Sequence, residues 1–130
     1  MTDRGYGADE GDGKQRRGYD LEERTFEFAR RVRVFVRKLP RTVSNIEDVK
    51  QVVRASGSVG ANYIEAGDSL GKKDLLMHMK VSRKEAKESR FFLRLLDTKD
   101  VVALDAERDA LVQEATELMK IFGAIVRKLE

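Results

Sequence analysis

From Leu21 onward, apolar residues return at helical spacing. Leu21, Phe28, Val32, Phe35 and Leu39 stand 7, 4, 3 and 4 residues apart, which places them on one buried helix face. Leu39-Pro40 ends this first helix, because proline disfavours helical backbone in the residue before it. Ser44 or Asn45 is placed to cap a second helix with Glu47 in its first turn, running through Val49, Val53, Ser56, Gly60, Tyr63 and Ile64. Gly67, Asp68, Ser69 and Gly71 then break the pattern. A third helix, from about Lys72 to Asp97, carries Leu75, Met79, Ser82, Ala86, Ser89, Leu93 and Leu96 at alternating steps of 4 and 3, the seam of a bundle. The chain turns near Asp100. A fourth helix, from about Asp105 to Leu129, has Asp105, Glu107 and Asp109 at its start and Arg127 and Lys128 at its end, the polarity that a helix dipole prefers. No stretch alternates with period two for long. Four amphipathic helices with short links predict an all-α fold, an antiparallel up-down-up-down four-helix bundle over residues 21–130.

Composition adds limits. Five of the ten glycines fall within residues 1–20, a segment without apolar periodicity that reads as a flexible, Gly-rich, charged tail. Lys14, Arg16 and Arg17 could make it an interaction arm, but its acids offset them, and spacer is the simpler reading. With no Cys in 130 residues, disulfides, thiolate nucleophiles and zinc fingers are excluded. No apolar run is long enough to span a bilayer, and the start lacks the apolar core of a secretory signal. A cytoplasmic location is expected.

Charge then separates two surfaces. At about 100° per residue, Lys73, Lys80, Arg83, Lys84, Lys87, Arg90 and Arg94 share one stripe of the third helix. Arg30, Arg33, Arg37 and Arg41 fall opposite the seam of the first. Residues 21–130 hold 22 basic and 18 acidic side chains, and two ridges nearly free of acids could hold a phosphate backbone by counterion release. The plain alternative is the solvated exterior that every bundle needs.

Glu85 and Glu88 lie in or beside a second apolar stripe of the third helix, formed by Met77, Val81, Phe92 and Leu95. A carboxylate there needs a partner. If helices two and three reverse near residue 69 or 70, residues whose numbers sum to about 139 stand level, so Arg54 is expected to meet Glu85 or Glu88 as a structural ion pair. Asn62 and Glu65 are expected to bond to backbone or to Lys72 and Lys73. General acid-base chemistry or a bundle-core metal site is the rival reading of the carboxylates. A di-metal site needs Glu-x-x-His, yet the single His78 follows Leu75 at that spacing, and Asp74 with His78 makes only two ligands. His78 reads as packed or hydrogen-bonded. No Ser-His-Asp set, Walker loop or G-x-G-x-x-G is present, and neither an enzyme nor a cofactor is expected. Residues 55–61, Ala-Ser-Gly-Ser-Val-Gly-Ala, place small side chains where another helix approaches closely, from this chain or another subunit. With Phe26, Val34 and Phe91 off the main seams, a homo-oligomer is expected.

The stretch Arg54-Ala-Ser-Gly-Ser-Val-Gly-Ala-Asn62-Tyr-Ile-Glu65-Ala66, then Lys72-Lys-Asp-Leu, then Lys84-Glu-Ala-Lys-Glu-Ser-Arg-Phe-Phe-Leu-Arg-Leu-Leu96, resembles the four-helix-bundle family encoded in intervening sequences of bacterial large-subunit (23S) rRNA genes. The likeness spans about Phe26 to Leu129, and Phe92 stands where the family often has Trp. The resemblance implies an antiparallel bundle that commonly forms a ring-like homopentamer, and implies no established activity. A related branch is the accessory variability determinant of diversity-generating retroelements, a basic pentamer that binds nucleic acid and its reverse transcriptase. The wheel, rather than a family motif, nominates Arg30, Arg33, Arg37, Lys80, Arg83, Lys84, Lys87, Arg90 and Arg94 as contacts to RNA or DNA. The expected function is a non-enzymatic oligomer that binds nucleic acid non-specifically. The alternative is a protein-protein scaffold ring without a direct nucleic-acid role, partnered by a protein such as a reverse transcriptase.

Overall fold

The computed structural model describes residues 13–130, with side chains from Leu21 onward. Among the described residues the chain forms four helices, α1 Gly13–Val36, α2 Val43–Ala66, α3 Lys72–Leu95 and α4 Val102–Leu129. Among the described residues there is no strand. α1 packs on α2 and α4, and α3 packs on α2 and α4, so α1 and α3 stand diagonally across an antiparallel four-helix bundle.

Helix starts differ from the pattern at α1, α2 and α4, the last beginning at Val102 rather than about Asp105. Residues 1–12 of the expected tail lie outside the described residues, but the backbone is already helical from Gly13, ahead of the expected start at Leu21. Lys, Gln and Arg extend a nucleated helix at little cost, a property that apolar periodicity does not register. The cap of α2 is Thr42, whose side-chain oxygen accepts the Asn45 N–H at 3.1 Å, rather than Ser44 or Asn45. Asn45 is instead buried. Its Nδ2 donates to the carbonyl oxygens of Pro40 and Asp97, each at 2.9 Å, and its Oδ1 accepts the Asp97 N–H at 2.9 Å. One amide thus ties the α1–α2 link to the α3–α4 link at the same end of the bundle. It also satisfies backbone groups at a helix end, where intrahelical partners run out.

The core is built from all four helices, with Phe28, Val32 and Phe35 of α1 meeting Val52 and Val59 of α2, Leu93 of α3, and Leu111, Leu118 and Phe122 of α4. On α3 the expected seam is the buried one, from Met79 through Ser82, Ala86 and Ser89 to Leu96, with Leu75 at its margin. The buried serines are satisfied by backbone, Ser82 Oγ donating to Val59 O at 2.9 Å across helices and Ser89 Oγ to Glu85 O at 2.8 Å. On α2 the inward arc is turned from the expected one. Val52, Ala55 and Val59 are buried beside Ser56 and Gly60, while Val49 and Val53 sit at the margin and Ile64 is exposed. α2 lies between α1 and α3, and the close contacts on both sides select small residues, which a search for large apolar ones passes over. Gly60 shows the constraint, since a Cβ there would stand 2.7 Å from Thr25 Oγ1. The helix that approaches the small-residue stretch at this point is α1 of the same chain.

Candidate nucleic-acid interface

Antiparallel packing sets the first half of α3 beside the last half of α4, and both carry cations there. Lys80, Arg83, Lys84 and Lys87 of α3 face Lys120 and Arg127 of α4 across a groove of about 550 Å³. Met119 and Gly123 complete its lining. A Cβ at Gly123 would make only ordinary contact, 3.8 Å from Arg83 Cδ and 3.6 Å from Arg127 Nη1. Among the described residues the carboxylate within ion-pair range of these cations is Glu130, whose Oε2 is 3.6 Å from Lys80 Nζ, and Glu117 acts on Lys120 electrostatically. Among the described residues Arg83, Lys84, Lys87, Lys120 and Arg127 make no ion pair, so their charges repel one another at short range. A polyanion would relieve that repulsion. The groove holds no aromatic ring on which a base could stack, and its donors are suited to phosphate oxygens rather than base edges.

The nine cations nominated from the helix wheel are thus divided. Four converge in this groove. Arg30 and Arg33 lie on α1 and Arg37 just past its end, and none of the three lines the groove. Arg30 is paired with Glu27 at 2.8 Å. Arg33 is half-buried and donates to the carbonyl oxygens of Ala29 at 3.0 Å and Val53 at 3.3 Å, so its guanidinium is spent in joining α1 to α2. Arg37 and Arg94 are exposed and Arg90 is half-buried, and none of the three lines the groove. From the sequence, Lys120 was not singled out, and Arg127 was singled out only as part of the basic end of the fourth helix. Their three-and-four spacing with Gly123 gives one face of α4, but which helix that face meets is a tertiary fact.

The structure brings Arg54 to both carboxylates, with Nη2 donating to Glu88 Oε1 at 2.9 Å and Nη1 to Glu85 Oε1 at 3.4 Å. The burial is uneven. Glu85's side chain is 8% exposed and Arg54's 52%, so the cation reaches in from solvent to a carboxylate held at the core margin. Donation to Glu88 and then the charge of Glu85 make the Arg54 guanidinium more basic than usual. Asn62 donates to Ser58 O at 2.9 Å and its Oδ1 stands 3.3 Å from His78 Nδ1, whereas exposed Glu65 reaches neither Lys72 nor Lys73. His78 Nε2 is 3.6 Å from Asp74 Oδ1. No three metal-ligating side chains come together among the described residues.

A second clamp joins α1 to α4. Arg24 forms a fork on Glu114, Nε to Oε2 at 2.7 Å and Nη2 to Oε1 at 2.9 Å, and also donates to Glu117 Oε1 at 2.7 Å. These bonds raise the Arg24 pKa further, the Glu114 hydrogen bond first. Donation from Gln113, then from Arg24, holds the Glu117 carboxyl below the usual carboxylate range.

The family model described as 23S rRNA-intervening sequence protein matches residues 18–124. A solved structure of a protein of unknown function from the S23 ribosomal protein family of Bacteroides thetaiotaomicron VPI-5482 superposes with a TM-score of 0.69 at 24% identity, covering 82% of this chain and 97% of that one. At that identity it shows the fold alone. No curated protein matches the chain. Among the described residues no helix is long and apolar enough to cross a membrane.

Proposed function

Because the chain belongs to the 23S rRNA-intervening sequence protein family, we propose that it is a non-enzymatic helical-bundle protein that binds the phosphate backbone of RNA or DNA along the α3/α4 groove. The observation that supports this reading is the convergence of six cations on one groove, of which, among the described residues, Lys80 alone forms an ion pair, with Glu130. An ordinary solvated helix face intersperses acids, as α1 does with Glu27 beside Arg30. Phosphates that enter the groove release their counterions and replace cation repulsion with charge-assisted hydrogen bonds. Recognition is of backbone rather than sequence.

The test is a gel shift at two salt concentrations with single-stranded and duplex probes. Lys84→Glu with Lys120→Glu should abolish the shift, while Arg37→Glu, outside the groove, should leave it unchanged. Reversing charge in an overloaded groove should leave the melting temperature equal or higher, which separates lost binding from lost fold. A shift equally sensitive to Arg37→Glu would reduce the reading to general basicity. Retention of the shift by the groove variant would overturn it in favour of a protein scaffold.

A further inference from the structure

Acids and bases are segregated ahead of the bundle. Residues 1–12 carry Asp3, Asp9, Glu10 and Asp12 against Arg4 alone, whereas Lys14, Arg16 and Arg17 fall within α1. The family match begins at residue 18, so these acids are no part of the shared bundle pattern. The α3/α4 groove has the opposite excess. Arg83, Lys84, Lys87, Lys120 and Arg127 make no ion pair among the described residues, and salt screens charges this close only weakly.

The register of the bundle brings the two within reach. Arg24 of α1 meets Glu114 and Glu117 of antiparallel α4. Gly13 is as far before Arg24 as Ile125 to Lys128 are beyond those two acids, so α1 begins level with the last turn of α4. Arg127 lies in that turn, at the outer end of the groove. Because α1 adjoins α4, the chain ahead of Gly13 has one helix to cross, a breadth of about 10–12 Å. From Arg127 to Lys120 the groove runs about 10 Å further, at 1.5 Å per residue. Twelve extended residues span up to about 40 Å, which covers both. Asp9 and Glu10 come within reach of Arg127 and Lys120, and Asp3 within reach of the α3 cations.

We infer that residues 1–12 dock in the α3/α4 groove of their own chain, as an acidic strap that a longer polyanion must displace. An acidic segment of another protein would suit the same cations, but tethering sets the chain's own acids at an effective concentration in the mM range. Competition with nucleic acid rests on the phosphate-binding reading of the groove, whereas docking rests on charge and reach alone.

The lack of native cysteine allows a direct test. A nitroxide on Ala8→Cys should broaden the backbone amide signals of Lys84 and Gly123 at low salt, and leave that of Arg37, just past the other end of α1, sharp. High salt, or Asp3→Asn with Asp9→Asn and Glu10→Gln, should restore the groove signals. Unbroadened groove signals at low salt would overturn the docking. So would broadening of isotope-enriched, unlabelled chain mixed with spin-labelled chain, which would place the strap in another copy. In anisotropy with single-stranded RNA and nuclease-treated protein, the three acid substitutions should tighten binding about threefold or more at low salt. Glu47→Gln with Asp48→Asn and Asp100→Asn, an equal gain in net charge outside the groove, should tighten it less. Equal gains would overturn the competition. Broadening in a chain that binds no RNA would uphold the docking and sink only the phosphate-binding reading; RNA binding without broadening would do the reverse.

Discussion

Gly60 is where a single missing atom matters most. Its absent Cβ would sit 2.7 Å from Thr25 Oγ1 and 3.1 Å from Thr25 Cβ, and the Thr25 hydroxyl is held by donation to Glu22 O at 2.9 Å. Alanine in a helix interior is worth about 1 kcal/mol over glycine, whereas overpacking costs about 1–3 kcal/mol. Gly60→Ala should therefore lower stability, by about 1 kcal/mol net, in urea denaturation. Removing the hydroxyl with Thr25→Ala in that background should recover part of the loss. A simple sum of the two single effects would show that these atoms do not meet. Arg54 demands a different judgement. Pattern alone suggests that Arg54→Ala strands a buried charge at about 3–5 kcal/mol, but a half-exposed guanidinium leaves water a path to Glu85. The expected cost is about 1–2 kcal/mol, still above that of Arg83→Ala. With Glu85→Gln in place, Arg54→Ala should cost less, and an undiminished cost in thermal melts would put the energy elsewhere.

At the scale of elements, α1 is held to α4 by Arg24 on Glu114 and Glu117, and the link just past its end by Lys38 on Glu107 at 2.9 Å. The α2–α3 contact buries small and apolar residues and carries Arg54 on Glu85 and Glu88 at its margin. The α1–α4 clamp is an acid-sensitive joint. Glu117 has a folded pKa below its ordinary value, so its contribution is present above the ordinary carboxylate range and is lost as pH falls through the depressed value. Gln113→Ala should move the Glu117 titration, followed by carboxyl NMR, toward the ordinary range, and should flatten the fall in stability at acid pH. An unmoved titration would mean that Gln113 does not hold the carboxylate. The elements themselves were largely legible in the sequence. Heptad-like spacing found the α3 seam almost residue for residue, because a large, regular apolar stripe can face only the core. The arc of α2 was misjudged, because there the chain buries small residues whose fit depends on Thr25 of α1 and Val59 with Ser82 across the α2–α3 contact.

For the whole molecule, the arrangement of helices converts the charge patterns of α3 and α4 into one groove. If all six groove cations contact phosphate, log K should fall with log salt at a slope of about −4 for a single strand and about −5 for a duplex. Each charge removed from the groove should reduce the slope by about 0.7–0.9, as read by fluorescence anisotropy across a salt series. A slope near −1 would mean that the groove is not the binding surface.

The sequence by itself determined the four amphipathic helices, the punctuation between them, the absence of cysteine chemistry and the basic stripe of α3. These are properties of local spacing, and a helix's periodicity makes spacing visible. It also brought Arg54 level with Glu85, since two helices joined by a short turn have a register fixed by arithmetic. Only the tertiary structure decided that Lys120 and Arg127 join the α3 stripe, that Arg33 turns inward to two carbonyl oxygens, and that Asn45 holds two links together. Those outcomes depend on which helix faces meet and at what rotation. That choice is made by packing among all four helices at once, and no single helix carries it in its own pattern.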